Sequence, residues 1–357
     1  MTATTHRLLG DALEAAIAAR VTPGAVVEVG TADGVALVAA AGRLTYGAGA
    51  LAATPDTVYD LASLTKVMAT TTIAMQLVAS GALTLDTLAS DAIPAFVGGG
   101  RETVAIADLL AHCAGLPAHR PLFRRLAGTA AYRAAICAEP LAYPPRSRHE
   151  YSDLGYMLLG DIVTAVSGRS LRAQFDAWRD AALPGVDLWF GPVDRSRRPV
   201  APTEAERWRG RTLVGHVHDA NAAALGGAAG HAGLFGTAAA VGAFARWYLH
   251  LWRGHTAASA GIPSHLAGRF ATRGDVPGSS RALGWDTMLP TSSCGPHFSP
   301  AAIGHTGFTG TSLWIDPVRG AYVVLLTNRV HPTAADADGI RRLRRAVHDA
   351  VACGWPA

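Results

Sequence analysis

The stretch Asp60-Leu61-Ala62-Ser63-Leu64-Thr65-Lys66 decides how this chain is read. Lys66 is its sole lysine: of 31 Lys plus Arg, every other one is Arg. Arg keeps its proton in proteins, whereas burial and neighbours tune a Lys amine toward neutrality. A chain that uses Arg everywhere else and Lys here points to an amine that works as a base. Val67, Met68, Ile73, Ala74, Met75, Leu77 and Val78 then supply the apolar body of a buried helix, and Gly81 after Ser80 is its stop. Positions i and i+3 share a helix face, so Ser63 Oγ and Lys66 Nζ come within hydrogen-bond reach. A serine in a first helical turn also has free backbone N–H groups beside it, suited to an oxyanion. Nucleophile, base and half an oxyanion hole thus fit into one turn.

Upstream, residues 8–20 carry Leu9, Leu13 and Ile17 at the spacing of an amphipathic helix. Residues 24–30 and 35–40 read as two apolar strands joined by a turn at Ala32-Asp33-Gly34. Downstream, residues 83–178 are helical segments broken by Pro and Gly, with helices over 154–166 and 170–182. Residues 184–212, rich in Pro, Arg and Trp, form an irregular cover. Strand character returns at 282–287, 303–305, 311–315 and 322–327, and a helix over 337–351 closes the chain. The expected fold class is α/β (α+β), one domain split by a helical insertion. The boundaries are 1–79 for its first part, 80–220 for the mainly helical domain and 221–357 for its second part.

Composition excludes several classes. The 357 residues are 50% hydrophobic and 16% charged, a compact globular balance. The formal charge of +4 comes from scattered Arg, with short clusters at 195–198 and 341–345 that lack the aromatics of a nucleic-acid surface. Cys113, Cys137, Cys294 and Cys353 are widely and irregularly spaced, which suits reduced thiols rather than disulfides or zinc. The N-terminus has no basic head followed by an apolar core, and no run of eighteen apolar residues occurs. The expectation is a cytoplasmic protein without nucleic-acid or membrane partners; a trimmed leader would make it periplasmic or secreted. Oligomeric state is open.

Two further motifs follow the first: Tyr151-Ser152-Asp153, and Gly304-His305-Thr306-Gly307-Phe308-Thr309-Gly310 near the last strands. Three elements in this order, around the sole lysine, resemble the penicillin-recognising serine hydrolase superfamily: class C β-lactamases, D-alanyl-D-alanine carboxypeptidases and related esterases. Its motifs are S-x-x-K, Y-x-N and K-T-G. The resemblance spans roughly residues 8–350. It implies a β-lactamase-like fold, an antiparallel sheet flanked by helices with an inserted all-helical domain and the active site at the domain interface. Ser63 would attack a carbonyl carbon and form an acyl-enzyme. The proton would go to Lys66 if neutral, or to Tyr151 if its phenolate is stabilised by the ammonium, and the choice stays open. Tyr151 would also help activate the deacylating water. The backbone N–H groups of Ser63 and Phe308 would form the oxyanion hole, and Asp153, His305, Thr306 and Gly307 would face the substrate.

Two residues depart from the pattern. Asp153 stands where the family has Asn, and its charge would favour the ammonium form of Lys66 and repel a substrate carboxylate. His305 stands where the family has Lys, and an unperturbed histidine is mostly neutral at pH 7. On this basis the expected enzyme is an esterase or acyl-transferase acting on a small neutral acyl substrate, without cofactor or metal. The alternative is a β-lactamase or a D-alanyl-D-alanine carboxypeptidase-like penicillin-binding protein, and the remote one a non-catalytic sensor domain. The Gly-rich run at 225–236 lacks a Gly-Lys-Ser/Thr ending and reads as a tight backbone segment beside the site. His216-Val217-His218-Asp219 offers partial metal ligands only.

Overall fold

The computed structural model describes residues 1–255, 259–334 and 336–355. Its strands in chain order are β1 (Gly24–Thr31), β2 (Gly34–Gly42), β3 (Tyr59–Asp60), β4 (Leu188–Phe190), β5 (Ala205–Glu206), β6 (Arg211–Thr212), β7 (Leu234–Gly236), β8 (Asp286–Thr287), β9 (Ile303–Thr306), β10 (Ser312–Asp316) and β11 (Ala321–Thr327). Six of them form one sheet in the order β2-β1-β11-β10-β9-β8, every neighbouring pair antiparallel. The first and last parts of the chain therefore meet side by side in one sheet.

The composition of β11 explains the layering. All seven of its residues are buried, so the strand is covered on both faces and runs apolar over Val323–Leu326 rather than alternating. Val323 and Leu325 point to a layer holding Leu9, Leu13, Leu343 and Val347, from the helices Ala3–Ala18 and Ala337–Ala352. Tyr322, Val324 and Leu326 point the other way, into a larger core with Phe244 and Trp247 of the helix Ala238–Trp252. That larger core runs on without a break into the helices Ile106–Leu110, Thr129–Ala138, Asp153–Ser167 and Leu171–Ala182 of the middle segment. A small sheet, β3-β7-β4, takes one strand from each of the three stretches marked out in the sequence.

Two elements differ from expectation. The strand expected over 282–287 is only Asp286–Thr287. Gly284 has φ +92°, and a Cβ there would lie 2.4 Å from Thr71 Oγ1, so the chain turns tightly against the nucleophile-bearing segment instead of extending. The helix expected after Ser63 begins as a π-helical stretch, Lys66–Thr71, and becomes α-helical only over Thr72–Ala79. Thr72 Oγ1 donates to Val67 O (3.1 Å) inside that wider turn. Such widened turns are frequent at functional sites.

Candidate active site

Ser63 sits just before this helix, and its position is fixed by the residues around it. Ala62 has φ +48°, a left-handed conformation that an alanine holds only when its surroundings demand it. The demand comes from Asp60, whose buried carboxylate accepts hydrogen bonds from Ala62 N (2.8 Å) and His218 N (2.6 Å). Residues 307–311 then close on the same turn. Thr309 Oγ1 donates to Asp60 O (2.8 Å) and Thr311 Oγ1 to Leu61 O (3.1 Å). Gly307 permits the approach, since a Cβ there would lie 2.7 Å from Leu61 O and 2.1 Å from Thr311 Oγ1. Behind this turn, buried Arg344 donates to Gly307 O (2.8 Å) and Thr311 O (2.9 Å). The backbone N–H groups of Ser63 and Phe308 donate to no protein acceptor among the described residues. Both are thus free of the protein's own acceptors in this structure.

Lys66 is fully buried, and its three N–H donors meet three acceptors: Ser63 Oγ at 3.0 Å, Asp153 Oδ1 at 2.7 Å and His231 O at 3.1 Å. This is the coordination of an ammonium. Burial opposes the charge, but Asp153 and Tyr151 outweigh it and hold the Lys66 pKa above the usual lysine value. Burial likewise opposes ionisation of Asp153, and Lys66 overcomes it, with His119 and His231 adding to the downward shift. The pair rests as ammonium and carboxylate, so Lys66 is not a free base in this state. Asp153 opens the helix Asp153–Ser167, which Ser152 caps by accepting from Gly155 N (3.0 Å).

Tyr151 lines the same cleft, with Lys66 Nζ 4.8 Å from its ring centroid. Its ring packs 4.5 Å from that of His112 and 5.8 Å from that of His305. Ser152 N donates to His112 Nδ1, while His112 Nε2 is buried without a protein partner. His305 Nδ1 donates to Thr306 O (2.9 Å), leaving Nε2 buried and unpartnered. Burial first, then Arg281 and Lys66, push both imidazoles well below the ordinary histidine value, so both are neutral.

Sequence reasoning missed Arg281, one Arg among many with no motif around it. Its guanidinium lies 5.2 Å from the Tyr151 ring centroid and lines the cleft. Nε and Nη1 are buried without a hydrogen-bond partner, and no carboxylate pairs with it among the described residues. The case against an anionic substrate rested on His305 and Asp153 alone, and Arg281 restores a cation at that edge. Asp60, His112, His119, His231 and Arg344 were missed as well. Among them Asp60 stood in the first motif and His231 in the Gly-rich run, neither with a role assigned to its side chain.

The cleft has a volume of about 810 Å³ and brings together Ser63, Tyr151, Asp153, His305, Thr306, Gly307 and Phe308. The Gly-rich run turns its backbone to the site through His231 O, as a tight segment beside it. The side chains of the His216 motif diverge: His218 pairs with Glu204 (2.9 Å), and Asp219 pairs with His231 (2.8 Å) and caps the helix Ala220–Ala224. Among the described residues no group of three or more His, Cys, Asp or Glu is placed to hold a metal ion, and no helix is long and apolar enough to cross a membrane.

A six-stranded antiparallel sheet between helices, with a Ser/Lys turn facing a Tyr, defines the class of β-lactamase-fold serine hydrolases. The family model described as Beta-lactamase matches residues 11–348, and the chain belongs to that family. A putative D-alanyl-D-alanine carboxypeptidase of Escherichia coli (strain K12) is 33% identical over 316 residues, covering 80% of this chain and 72% of the relative. Two solved structures share the fold. EstCE1, described as a hydrolase with promiscuous acyltransferase activity, is 20% identical with a TM-score of 0.76, over 98% of both chains. A penicillin-binding protein homolog from Caulobacter crescentus is 23% identical with a TM-score of 0.74, again over 98% of both.

Proposed function

We propose that this protein is an acyl-enzyme hydrolase whose nucleophile is Ser63 and whose preferred acyl donors carry a carboxylate on the leaving side, as a peptide ending in a D-amino acid does. Ser63 Oγ bonds to the carbonyl carbon, and the oxyanion is received by the N–H groups of Ser63 and Phe308. The serine proton passes into the Lys66–Tyr151–Asp153 group. Lys66 rests as an ammonium with three acceptors and is no free base, so the proton is taken by Tyr151 acting as a phenolate stabilised by that ammonium, which becomes the neutral phenol, and Lys66 and Tyr151 exchange protons as the group turns over. The C–N bond breaks as that group protonates the leaving nitrogen. Water then cleaves the Ser63 ester, giving up a proton to the same group and regenerating the serine.

The observation that carries the substrate class is Arg281, a guanidinium in the cleft without a protein counter-ion beside the Tyr151 ring. A cation left unpaired at a site costs stability unless a ligand completes it. The printed name of the Escherichia coli relative supports the same reading. A second reading, an esterase or acyl-transferase on small neutral acyl groups, draws on the neutral His305 and the anionic Asp153.

Intact-protein mass spectrometry separates the two readings. Wild type and Ser63→Ala are exposed briefly to a p-nitrophenyl acyl ester, to a penicillin and to a D-alanyl-D-alanine peptide. A Ser63-dependent adduct with penicillin, together with D-alanine release, supports the carboxylate reading. An adduct with the ester alone moves the assignment to the neutral one. No adduct with any probe overturns the acyl-enzyme assignment.

A further inference from the structure

Lys66 is linked to His119 through the side chain of Asp153. Of its three acceptors, Ser63 Oγ is the nucleophile and His231 O is a backbone carbonyl, whereas Asp153 has a second oxygen to offer. That second oxygen, Oδ2, lies 3.9 Å from Nδ1 of His119, an imidazole half-exposed on the wall of the cleft. The backbone builds this placement. Asp153 N donates to Ala118 O (2.8 Å), Ser152 Oγ donates to Pro117 O (2.7 Å), and Ala118 N donates to Glu150 Oε1 (3.2 Å). Three hydrogen bonds therefore stitch the segment before His119 to the one that opens the Asp153 helix. An Asn at 153 could accept from Lys66, but it would bring no charge for a second cation to share.

We propose that His119 is a positioning residue for the Lys66–Asp153 pair: as an imidazolium it takes up the outer oxygen of Asp153, and its protonation sets how firmly the carboxylate holds the Lys66 ammonium against Ser63. When His119 is charged, two cations share one carboxylate, and Lys66 exchanges its proton more readily during turnover. When His119 is neutral, the full charge of Asp153 falls on Lys66 and holds the ammonium in place. The groups facing His119 agree with this sign. Asp153 raises its pKa, Asp219 adds to the rise, and Arg120 on its own segment opposes it together with burial. Beyond Asp153 lie Lys66 and His231, which both favour its carboxylate form. Glu150 caps the strap that carries His119. The inference rests on the acyl-enzyme reading given above.

The test is the pH dependence of kcat/KM with p-nitrophenyl acetate for wild type, His119→Gln and His119→Arg. His119 is half-exposed and makes no bond that the fold depends on, so both variants are expected to fold. At about pH 5.5, His119→Gln should be roughly threefold to fivefold slower than wild type, the range of a partly exposed ion pair. The ratio should approach one by about pH 9, where wild-type His119 is neutral too. His119→Arg keeps a permanent cation and should not show the wild-type decline on the alkaline side. A constant ratio across the range, or a His119→Arg profile parallel to that of wild type, overturns the proposal. Mass spectrometry on the same samples keeps the two questions apart. Loss of the Ser63 adduct in wild type would refute the acyl-enzyme reading, whereas an intact adduct with pH-independent ratios would refute only the role of His119.

Discussion

The two walls of the cleft differ in how completely the protein satisfies them. On the helix side, Lys66 has a partner for each N–H, and Asp153 faces Lys66 with one oxygen and His119 with the other. On the side of Tyr151 and the strand Ile303–Thr306, Arg281 Nε and Nη1 and His305 Nε2 are buried without a hydrogen-bond partner among the described residues. Buried polar groups are paired in nearly every native structure, so a concentration of unpaired ones is informative. The polar groups around Lys66 are more fully paired than those around Arg281 and His305, the side proposed above to receive a substrate carboxylate.

The strongest way to break this contrast is to alter the saturated wall. Ser63→Ala should abolish the covalent adduct outright. Lys66→Arg keeps the charge but neither the size nor the proton exchange, and should lower kcat by about 10²–10⁴-fold in a steady-state ester assay. Activity close to wild type in Lys66→Arg would remove any role for that side chain in proton transfer. The unsaturated wall should respond differently. Arg281→Ala is expected to raise KM for a carboxylate-bearing peptide, or to slow acylation by penicillin, by about tenfold to a hundredfold, with little change toward p-nitrophenyl acetate. Equal losses on charged and neutral probes would place Arg281 in the scaffold rather than the binding surface.

A smaller effect sharpens the contrast from outside the cleft. His348 is buried, and both its ring nitrogens lack partners, yet it packs against Phe298 in the layer between sheet and terminal helices. Burial, helped by Arg344, pushes its pKa down to about 3. From its ordinary value of about 6.5 down to about 3, the unfolded chain binds a proton that the folded one refuses. Stability therefore falls as pH drops through that window. His348→Leu should remove this component: the fall in urea midpoint between neutral pH and about pH 4.5 should shrink while kcat stays unchanged. An unchanged acid sensitivity would show that other groups, such as His112 and His305, dominate it.

These contrasts also mark what the sequence could say. The saturated wall was largely legible because its key contact is local: Ser63 and Lys66 are three residues apart, and helical geometry alone brings them together. Periodicity placed most of the large sheet's strands and several long helices to within a few residues, but gave no reading of the helix Ala238–Trp252 and missed where close packing decides, as at Gly284 against Thr71. On the unsaturated wall Tyr151 and His305 were reached only through the motif resemblance, and Arg281 was not legible. Tyr151, Arg281 and His305 come from three separate segments, and nothing in an Arg-rich sequence marks Arg281 apart from the Arg residues that pair on the surface. The consequence of Asp153 was foreseen as a charge on Lys66, but its second partner could not be, because His119 is placed by the backbone bonds of residues 117–118.

The grip of Arg344 on Gly307 O and Thr311 O bears on how the protein is made. Arg344 belongs to the final helix, Ala337–Ala352, while Ser63 emerges early in synthesis. A growing chain that has not yet released its last helix carries the nucleophile without the clamp that shapes the facing half of the oxyanion hole. The clamp on residues 307–311 therefore forms only once the helix Ala337–Ala352 has packed behind them.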